Sequence, residues 1–561
     1  MPTPASDNVD HVGIPPADVS SIAPFRERAF AVLWCATVIS NVGTWMQSAA
    51  AGWLMTTLDP DPFVVSLVQF AATFPMFLFA LPAGAIADIV DRRHLLILTQ
   101  VATILLTGVF GFFVFFDHVT AIGLIAFSLL AASAAALVMP AWQAVVPQLV
   151  PRPLLQAAVA LNSVGLNVSR AIGPALAGIV IAAWGIAAPF WVNALTTVGV
   201  VAALIWWRPH QDGRATRLPP EPFTRAISSG LRHARYNAHL RATLIRAFAF
   251  FIFASAYWAF LPLIARNQVA GGPALYGFLL AAIGIGAVAA AFALPALKQR
   301  LGADRLAAAG TLGTALALVL FGASRNPITA LAASLIAGLA WITALATINV
   351  SAQMSLPQWV RGRGLSIYVA VMFGSLSLGS AIWGKAATFT GVPVACMIAA
   401  AGAALSVPLL MRWKLQTAAT LDLTPSMHWP QPVVSSEIDS DRGPVMVTVD
   451  YRINPSDRIA FLAALAKLAG ERRRDGAFEW SVFEDVAQEG RFVETFLLDS
   501  WTEHLRQHER VSNTDRELQD IVHSFHLDGT PKVTHLMRAS VPLPQGAQTN
   551  TEAGTEGVRA V

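Results

Sequence analysis

The sequence predicts an all-α polytopic membrane protein with twelve transmembrane helices in two six-helix halves, followed by a small α+β domain outside the membrane. Of its 561 residues, 55% are hydrophobic and 13% are charged, whereas charged residues make up about 25% of an average soluble domain. The apolar residues between 30 and 411 form runs long enough to cross a bilayer, which takes roughly 20 residues of helix. Residues 415–561 have the composition of a soluble protein, so the chain combines two architectures.

The apolar runs divide into two groups of six around a polar stretch. They begin near Phe30, Phe63, His94, Val119, Leu154 and Ala187, and then near Thr243, Ala274, Arg305, Pro327, Gly364 and Gly391. The predicted organisation is a disordered cytoplasmic tail (1–29), a first half (30–207), a middle loop (208–242), a second half (243–414), a linker (415–443), the α+β domain (444–541) and a disordered tail (542–561). The first 25 residues lack a basic region followed by an apolar one, so no cleavable signal peptide is predicted.

Lysine and arginine predict the orientation of the helices. They are concentrated in the even-numbered connections and at the two flanks: Arg26, Arg28, Arg92, Arg93, Arg152, Lys298, Arg300, Arg305, Arg361, Arg363, Arg412 and Lys414. The opposite side carries Arg266, Arg325 and Lys385. By the positive-inside rule, both termini and the middle loop lie on the cytoplasmic side of a bacterial-type inner membrane. This distribution also accounts for the net charge of +4, so nucleic acid is not an expected partner.

The two halves show internal similarity. "QAVVPQLV" from Gln143 and "QMSLPQWV" from Gln353 share four residues at matching places, and "LPAGAIADIVDRRHL" from Leu81 has a weaker counterpart in "LPALKQRLGADRL" from Leu294. A parallel duplication with the binding site between the repeats is a transporter architecture.

A charged segment, "GAIADIVDRR" at 84–93, separates the second and third apolar runs. Gly84 permits a close helix approach, Asp88 lies where the second helix leaves the membrane, and Arg92 and Arg93 hold the turn on the cytoplasmic side. We interpret Asp88 as a state-dependent contact that caps or charge-pairs a helix end of the other half. The alternative interpretation is a basic turn that only sets topology.

The fifth apolar run contains "SRAIGPALAG", with Gly173, Pro174 and Gly178. Pro174 removes one helical hydrogen bond and the glycines allow close contact, so this pattern predicts a bent or tightly packed helix where the two halves meet. A kink without a functional role is the alternative.

These segments resemble the major facilitator superfamily. Residues 84–93 are similar to its loop signature G-x-x-x-D-x-x-G-R-[RK], except that Asp91 stands where the family usually has glycine, and residues 173–178 are similar to the G-P-x-x-x-G core of its exporters. With "SNVGTWMQSAAAGWLM" at 40–55 and "FVETFLLDSWTEHLRQHERV" at 492–511, the chain resembles the enterobactin-exporter-like, or transmembrane secretion effector, branch with an added C-terminal domain. The resemblance implies the superfamily fold, export by alternating access and protons as the coupling ion.

Polar residues inside the apolar runs are the candidates for a substrate cavity. Arg170 comes first, because a buried guanidinium needs a cavity or a partner. The other candidates are Asn41, Trp45, Gln47, Gln69, Asn162, Asn167, Tyr257 and Trp258. Each is also explained by a hydrogen bond between helices. No nucleotide motif, metal-ligand spacing or cysteine pair is present, so no cofactor or metal is expected.

The polar segments carry two further predictions. Phe223, Ile227 and Leu231 share one helical face of the middle loop, which predicts either a helix on the inner membrane surface or a plain basic linker. Residues 444–541 read as β-α-β-β-α-β, a ferredoxin-like order that resembles dimeric α/β-barrel domains. Its first helix is expected to bury Ile459, Leu462, Leu465 and Leu468, and a single helical stretch is expected from Trp501 to His526. His504 and His508 could bind a metal but are interpreted as a solvated helix face.

The sequence therefore predicts a transporter, not an enzyme, that exports a siderophore- or drug-like small molecule across the lipid bilayer. The C-terminal domain is expected to serve dimerisation or regulation. Import, or a membrane-tethered enzyme or ligand sensor acting through residues 444–541, are the alternatives.

Overall fold

A computed structural model describes residues 20–83, 90–208, 223–416, 422–426, 428–429 and 442–539, with the backbone alone for 223–227. The chain forms two compact units, Met1–Thr420 and Leu421–Val561. Each unit has hydrophobic core clusters of its own.

The first unit is a bundle of long helices. Its helices are α1 (Arg28–Leu58), α2 (Pro62–Phe79), α3 (Arg92–Phe115), α4 (Ala121–Val145), α5 (Leu155–Trp184), α6 (Ala188–Trp206), α7 (Phe223–Tyr236), α8 (Ala238–Leu263), α9 (Pro273–Ala323), α10 (Pro327–Met354), α11 (Arg361–Thr390) and α12 (Val392–Leu410). Within the described residues, eleven of these, all except α7, are long and apolar enough to cross a membrane.

Helix α9 accounts for two of the predicted crossings. Its 51 residues would extend about 75 Å as one helix, more than twice the hydrocarbon thickness of a bilayer. Gly302 interrupts it with a φ of 73° and a ψ of 170°, a left-handed backbone conformation that glycine adopts without steric cost. The segments 273–301 and 303–323 are therefore two successive crossings, and the predicted total of twelve in two halves is obtained.

The two halves of this unit meet along two helix pairs, α2 with α11 and α5 with the first segment of α9. Because successive helices alternate in direction, the bundle has two ends, which we name by a residue at each. The Asp61 end holds the connections near Asp61, Arg266 and Gly391, and the Asp91 end holds those near Asp91 and Ser355.

The middle loop is helical over Phe223–Tyr236, so the plain-linker interpretation is wrong. Its last turns pack against the chain between α10 and α11: Ala234 lies in a buried cluster with Leu356 and Val360. The Asn237 side chain donates a hydrogen bond to the Ser355 carbonyl oxygen at 2.8 Å. Leu231 remains 51% exposed. Helix α7 is therefore fastened to the second half by its inward face.

Regular structure begins before residue 29, the predicted end of the disordered N-terminal tail. Ala23–Arg26 form a turn of 3-10 helix, in which Ala23 and Pro24 are buried. The Phe25 ring packs edge to face on Trp34 at 4.9 Å. Aromatic contacts with α1 hold this turn. The sequence of the short segment alone does not predict these contacts.

The second unit has the predicted β-α-β-β-α-β order. Its elements are β1 (Val445–Arg452), α13 (Arg458–Arg474), β2 (Phe478–Glu484), β3 (Arg491–Leu498), α14 (Trp501–Arg510), α15 (Asn513–His523) and β4 (Lys532–Met537). The antiparallel sheet has the ferredoxin-like order β2-β3-β1-β4. The expected single helix after β3 is instead two, because Ser512 starts a new helix with a reciprocal capping box to Asp515.

Helix α13 buries Leu465 and Leu468 as predicted, and Leu462 is half-buried, but the prediction is wrong for Ile459. Phe461, Leu465 and Leu468 are buried, whereas Ile459 is 81% exposed. The same face continues to Arg472, which is 6% exposed and lies 3.5 Å from the fully buried Glu494 carboxylate. The apolar pattern misled the prediction because an arginine occupies one of the inward positions.

The interpretation of His504 as a solvated residue is also wrong. His504 is 2% exposed. Its ring centroid lies 4.8 Å from that of His508 and 4.6 Å from that of His535 on β4. The polar composition of α14 conceals an inward face that only the position of the sheet reveals.

We expect Phe461→Ala to destabilise the second unit by about 3–5 kcal/mol, because it removes a fully buried aromatic side chain. The matched control, Ile459→Ala, should change the free energy of unfolding by less than about 0.5 kcal/mol. Urea unfolding of a fragment covering 422–541 measures both. Equal losses in the two variants would contradict the observed face of α13.

Candidate transport site

The segment after α2 contains the first group of predicted residues. Gly84 and Asp88 lie outside the described residues. Asp91 caps α3 by accepting a hydrogen bond from the His94 backbone N–H at 2.8 Å, and this bond holds the pKa of the Asp91 carboxyl below its ordinary value. Its φ of −55° lies outside the left-handed region, so the turn tolerates aspartate where the superfamily usually has glycine.

Arg93 connects two helices within the first half. Its guanidinium donates to the carbonyl oxygens of Leu204 at 2.8 Å and Ile205 at 2.9 Å, at the C-terminal end of α6. A cation at that position also interacts favourably with the helix dipole. Arg93 therefore ties α3 to α6, and its neighbour Arg92 is half-buried.

The glycines of α5 lie where neighbouring helices approach most closely. A Cβ on Gly173 would lie 2.5 Å from the Trp45 Cβ of α1. A Cβ on Gly178 would lie 2.8 Å from the Pro273 carbonyl oxygen and 2.9 Å from the Ala274 Cα, both on α9. Conversely, a Cβ on Gly277 of α9 would lie 2.6 Å from the Pro174 carbonyl oxygen. The Gly-Pro segment thus sets the distance between the two halves.

Arg170 lies one turn before this contact. Its guanidinium carbon is 5.1 Å from the centroid of the Trp45 ring, within range of a cation–π interaction. Its Nε is buried and has no hydrogen-bond partner among the described residues. Arg170 and Trp45 therefore present a charge and an aromatic face beside Gly173.

The other polar candidates of the first half have varied surroundings. Gln47 is buried and accepts a hydrogen bond from the Asn193 amide at 2.6 Å, so it joins α1 to α6. Asn162 accepts a hydrogen bond from Trp142 Nε1 at 3.3 Å. Asn167 is exposed and donates to the Ser163 carbonyl oxygen, whereas Asn41 and Gln69 are half-buried.

An aromatic cluster occupies the second half. The rings of Trp258 and Trp341 meet edge to face at 5.5 Å, and the Tyr257 ring lies 5.5 Å from Trp258. The Tyr257 hydroxyl and both indole N–H groups are buried without hydrogen-bond partners among the described residues. Trp341, which completes this cluster, was not among the predicted residues.

Sequence reasoning also missed the contacts that join the halves at the Asp61 end. Arg266 donates to the Thr56 hydroxyl at 3.0 Å and lies 5.9 Å from the Trp53 ring. Thr388 donates to the Asp61 carboxylate at 2.9 Å. Thr56 and Trp53 lie on α1 and Asp61 caps α2, whereas Thr388 lies on α11 and Arg266 in the turn after α8. Polar contacts therefore join the two halves at the Asp61 end.

A second buried arginine was missed as well. Arg246 of α8 is 8% exposed and pairs with Asp304 at 3.0 Å. Asp304 also accepts a hydrogen bond from the Leu415 backbone N–H at 3.0 Å. The pair fixes the chain at Gly302 to α8 and to the segment after α12, and Asp304 lies in the weaker copy of the 84–93 motif.

Comparison with known proteins identifies the family of this chain. The profile of a family described as transmembrane secretion effector matches residues 19–542. The chain belongs to this family. Transmembrane secretion effectors are transporters, which confirms the predicted resemblance and the prediction that the chain is a multi-pass membrane transporter and not an enzyme.

Three curated relatives of this secretion effector align over most of their length. The staphyloferrin A transporter of Staphylococcus aureus (strain NCTC 8325 / PS 47) is 25% identical over 356 residues, covering 63% of this chain and 87% of the relative. The multidrug efflux pump Tap of Mycolicibacterium fortuitum is 24% identical, covering 67% and 92%. The enterobactin exporter EntS of Escherichia coli O1:K1 / APEC is 25% identical, covering 64% and 84%.

Solved structures confirm the fold of the secretion effector. A POT family transporter in complex with a thioalcohol-conjugated peptide superimposes with a TM-score of 0.57 at 12% identity, covering 69% of this chain and 96% of that one. The nucleoside transporter NupG (D323A mutant) gives a TM-score of 0.55 at 12% identity, covering 69% and 99%.

We expect Gly178→Ala to slow transport about tenfold, because the new Cβ meets α9 backbone at under 3 Å and such overpacking costs about 1–3 kcal/mol. Gly199→Ala is the matched control, since a Cβ there has nothing within 4 Å. Transport rate per inserted molecule is the measurement. A Gly178→Ala protein that transports normally would show that this close contact does not limit the cycle.

Proposed function

We propose that this protein exports small amphipathic organic molecules across the cytoplasmic membrane by alternating access between its two halves. The Asp91 end, with its excess of arginine, is the cytoplasmic side, and the Asp61 end faces outward. Both termini and the second unit then lie in the cytoplasm. Protons are the coupling ion that the family resemblance implies.

The observation that carries this proposal is the arrangement on α5. Arg170 offers a charged group with an unpaired Nε, and the next turn contains Gly173 and Pro174, followed by Gly178 against α9. A cargo that binds Arg170 therefore acts directly on the helix whose packing sets the distance between the halves. Binding energy at this position can favour one arrangement of the halves over another, as alternating access requires.

The contacts at the Asp61 end supply the gate in this proposal. Arg266 with Thr56, and Thr388 with Asp61, are single hydrogen bonds across the two halves. Each involves one charged group and contributes about 1.5–3 kcal/mol, so they can break during each transport cycle. Asp88 is proposed as the corresponding contact at the cytoplasmic end, as the loop signature implies.

The cargo class follows from the side chains that line the two halves. Trp45 and the Trp258–Trp341 pair offer aromatic faces, and Arg170 offers a planar fork of donors that suits a carboxylate or another anionic oxygen. An amphipathic compound with an acidic group fits this combination. The named cargoes of the relatives, a siderophore in two cases and drugs in a third, belong to the same broad class.

We further propose that the second unit forms a homodimer through the open face of its sheet. Helices α13 to α15 pack on one face of the sheet. The other face presents the apolar residues Met446, Val493, Leu497 and Leu536 on β1, β3 and β4. These apolar residues lie beside the Arg491–Asp450 ion pair of the same face. The apolar part of the face favours a covering surface, and an identical face with two-fold symmetry supplies one.

Replacement of Arg170 tests the transport proposal. We expect Arg170→Met to abolish export of a carboxylate-bearing cargo and Arg170→Lys to weaken it, because lysine keeps the charge but loses the planar fork of donors. A neutral cargo of similar size should be much less affected. Efflux from cells expressing each variant, normalised to inserted protein, gives the comparison.

The matched control for this test is Arg325→Met, which removes an exposed arginine at the Asp61 end. It should export both cargoes normally. An equal loss of both cargoes in the Arg170 variants, at normal abundance, would argue against a charge-reading role. Loss of the variants from the membrane would instead indicate that Arg170 is a structural residue.

A glutamate on the open sheet face tests the dimer. We expect Leu497→Glu to convert the fragment 422–541 from dimer to monomer, because it places two charges in an apolar contact. Ile459→Glu changes an exposed apolar residue on α13 in the same way and should remain dimeric. Light scattering distinguishes the two, and a wild-type fragment that is monomeric at high concentration would contradict the proposal.

A further inference from the structure

The chain that leads into the second unit is bound to its helices by backbone hydrogen bonds. The Ser426 N–H donates to the Val511 carbonyl oxygen at 2.9 Å, the Asn513 N–H to Thr424 at 3.1 Å and the Thr514 N–H to Asp422 at 3.2 Å. We call the described part of this chain, residues 422–426 and 428–429, the docking segment. It lies within the range predicted as a linker, and it packs across the junction of α14 and α15.

The last described residue of the docking segment is Trp429, whose indole contacts polar, aromatic and cationic side chains. Its Nε1 donates to Gln519 Oε1 at 2.9 Å, and the His508 ring meets it edge to face at 4.9 Å. The Arg472 guanidinium lies 5.0 Å from the indole centroid and 5.2 Å from the Phe496 centroid, between the two rings. The indole is therefore held by a cation on its face and by an acceptor for its N–H.

A small cavity lies beneath this indole. Trp429, Leu468, Arg472, Gln507, Val511 and Gln519 line it, together with carboxylates of the Arg474 ion cluster. Its volume of about 10 Å³ admits nothing larger than a water molecule. Any larger ligand can enter only when Trp429 leaves.

Two buried polar side chains of α14, Gln507 at the cavity and His504 one turn earlier, have no hydrogen-bond partners among the described residues. Gln507 is 1% exposed and His504 is 2% exposed, and neither the amide atoms of Gln507 nor the ring nitrogens of His504 make a hydrogen bond. Burial lowers the pKa of His504 to about 3, so the ring is neutral at pH 7. Buried polar atoms without partners are uncommon in folded proteins, and a bound molecule is one of their established explanations.

We propose that the space occupied by Trp429 is a binding site for an electron-rich aromatic molecule carrying an N–H or O–H donor, and that Trp429 is its built-in occupant. The ligand stacks on Arg472, donates to Gln519 and supplies the partners that Gln507 lacks. Because the indole and the ligand exclude one another, binding displaces Trp429 and releases the docking segment. The second unit thereby acts as a ligand sensor, independently of the cargo site on α5.

Indole and catechol are the probes, used with the full-length protein in detergent. Trp429→Ala should lower the Tm of the second unit, and indole at roughly 1 mM should restore it by occupying the vacated site. The control is Trp480→Ala, which removes a half-buried indole that donates to Glu494 on β3. Indole should not stabilise this variant, and equal stabilisation of both variants, or of neither, would overturn the proposal.

Displacement is read from hydrogen exchange in the wild-type protein. Saturating catechol should speed exchange of the Ser426, Asn513 and Thr514 amides, whose acceptors belong to the docking contact, while the amides of β1 and β3 keep their protection. Catechol binding that leaves these three amides protected would overturn the displacement.

Gln507→Leu tests the recognition of polar groups. In the Trp429→Ala background, this change keeps the approximate size of the side chain and removes both amide atoms, so it should weaken catechol binding about tenfold. Cyclohexanol, which lacks an aromatic face, should bind the Trp429→Ala protein no more tightly than catechol binds the Gln507→Leu variant. Unchanged catechol affinity in the Gln507 variant would show that the amide is not a ligand contact and would overturn the assignment.

Discussion

The close approach of α5 and α9 is the contact on which the packing of the two halves depends. In a bilayer the backbone must satisfy its hydrogen bonds within each helix, so the helices interact through side-chain packing, and small residues determine how near they come. Gly178 faces Gly277 and the start of α9 with no room for a Cβ on either. The halves therefore fit together tightly here, with little side-chain material between them.

Two arginines of the helical unit differ in their surroundings. Arg170 lies on α5 with its cation over the Trp45 ring, whereas Arg246, a buried arginine of α8, has Asp304 beside it. A paired charge fixes structure, because removing its partner leaves an expensive uncompensated ion. An arginine without a carboxylate partner remains available to a ligand, and this difference distinguishes the proposed cargo residue from a structural one.

The second unit shows how a buried arginine can organise a small domain. Arg472 lies between the Trp429 and Phe496 rings and 3.5 Å from the Glu494 carboxylate, and Glu494 also accepts hydrogen bonds from Tyr451 and Trp480. These contacts join α13, the three strands β1, β2 and β3, and the incoming chain. A site built around a cation and aromatic rings is suited to exchange one aromatic group for another, which connects the packing of the unit to its proposed ligand response.

The sequence by itself determined the twelve crossings, the succession of strands and helices in the second unit and the close helix contacts at Gly173 and Gly178, because runs of apolar residues, turn residues and Gly-Pro spacing are local features. It did not determine that Gln47 bonds to Asn193, that Arg266 reaches Thr56 or that Trp429 lies over Arg472, since these partners are separated by 43 to 210 residues. Local periodicity also failed at Ile459 and His504, where a polar residue faces inward or an apolar one faces outward. Only the tertiary structure decides such positions, because burial depends on which other element covers a face, and the residues of that face do not encode the covering element.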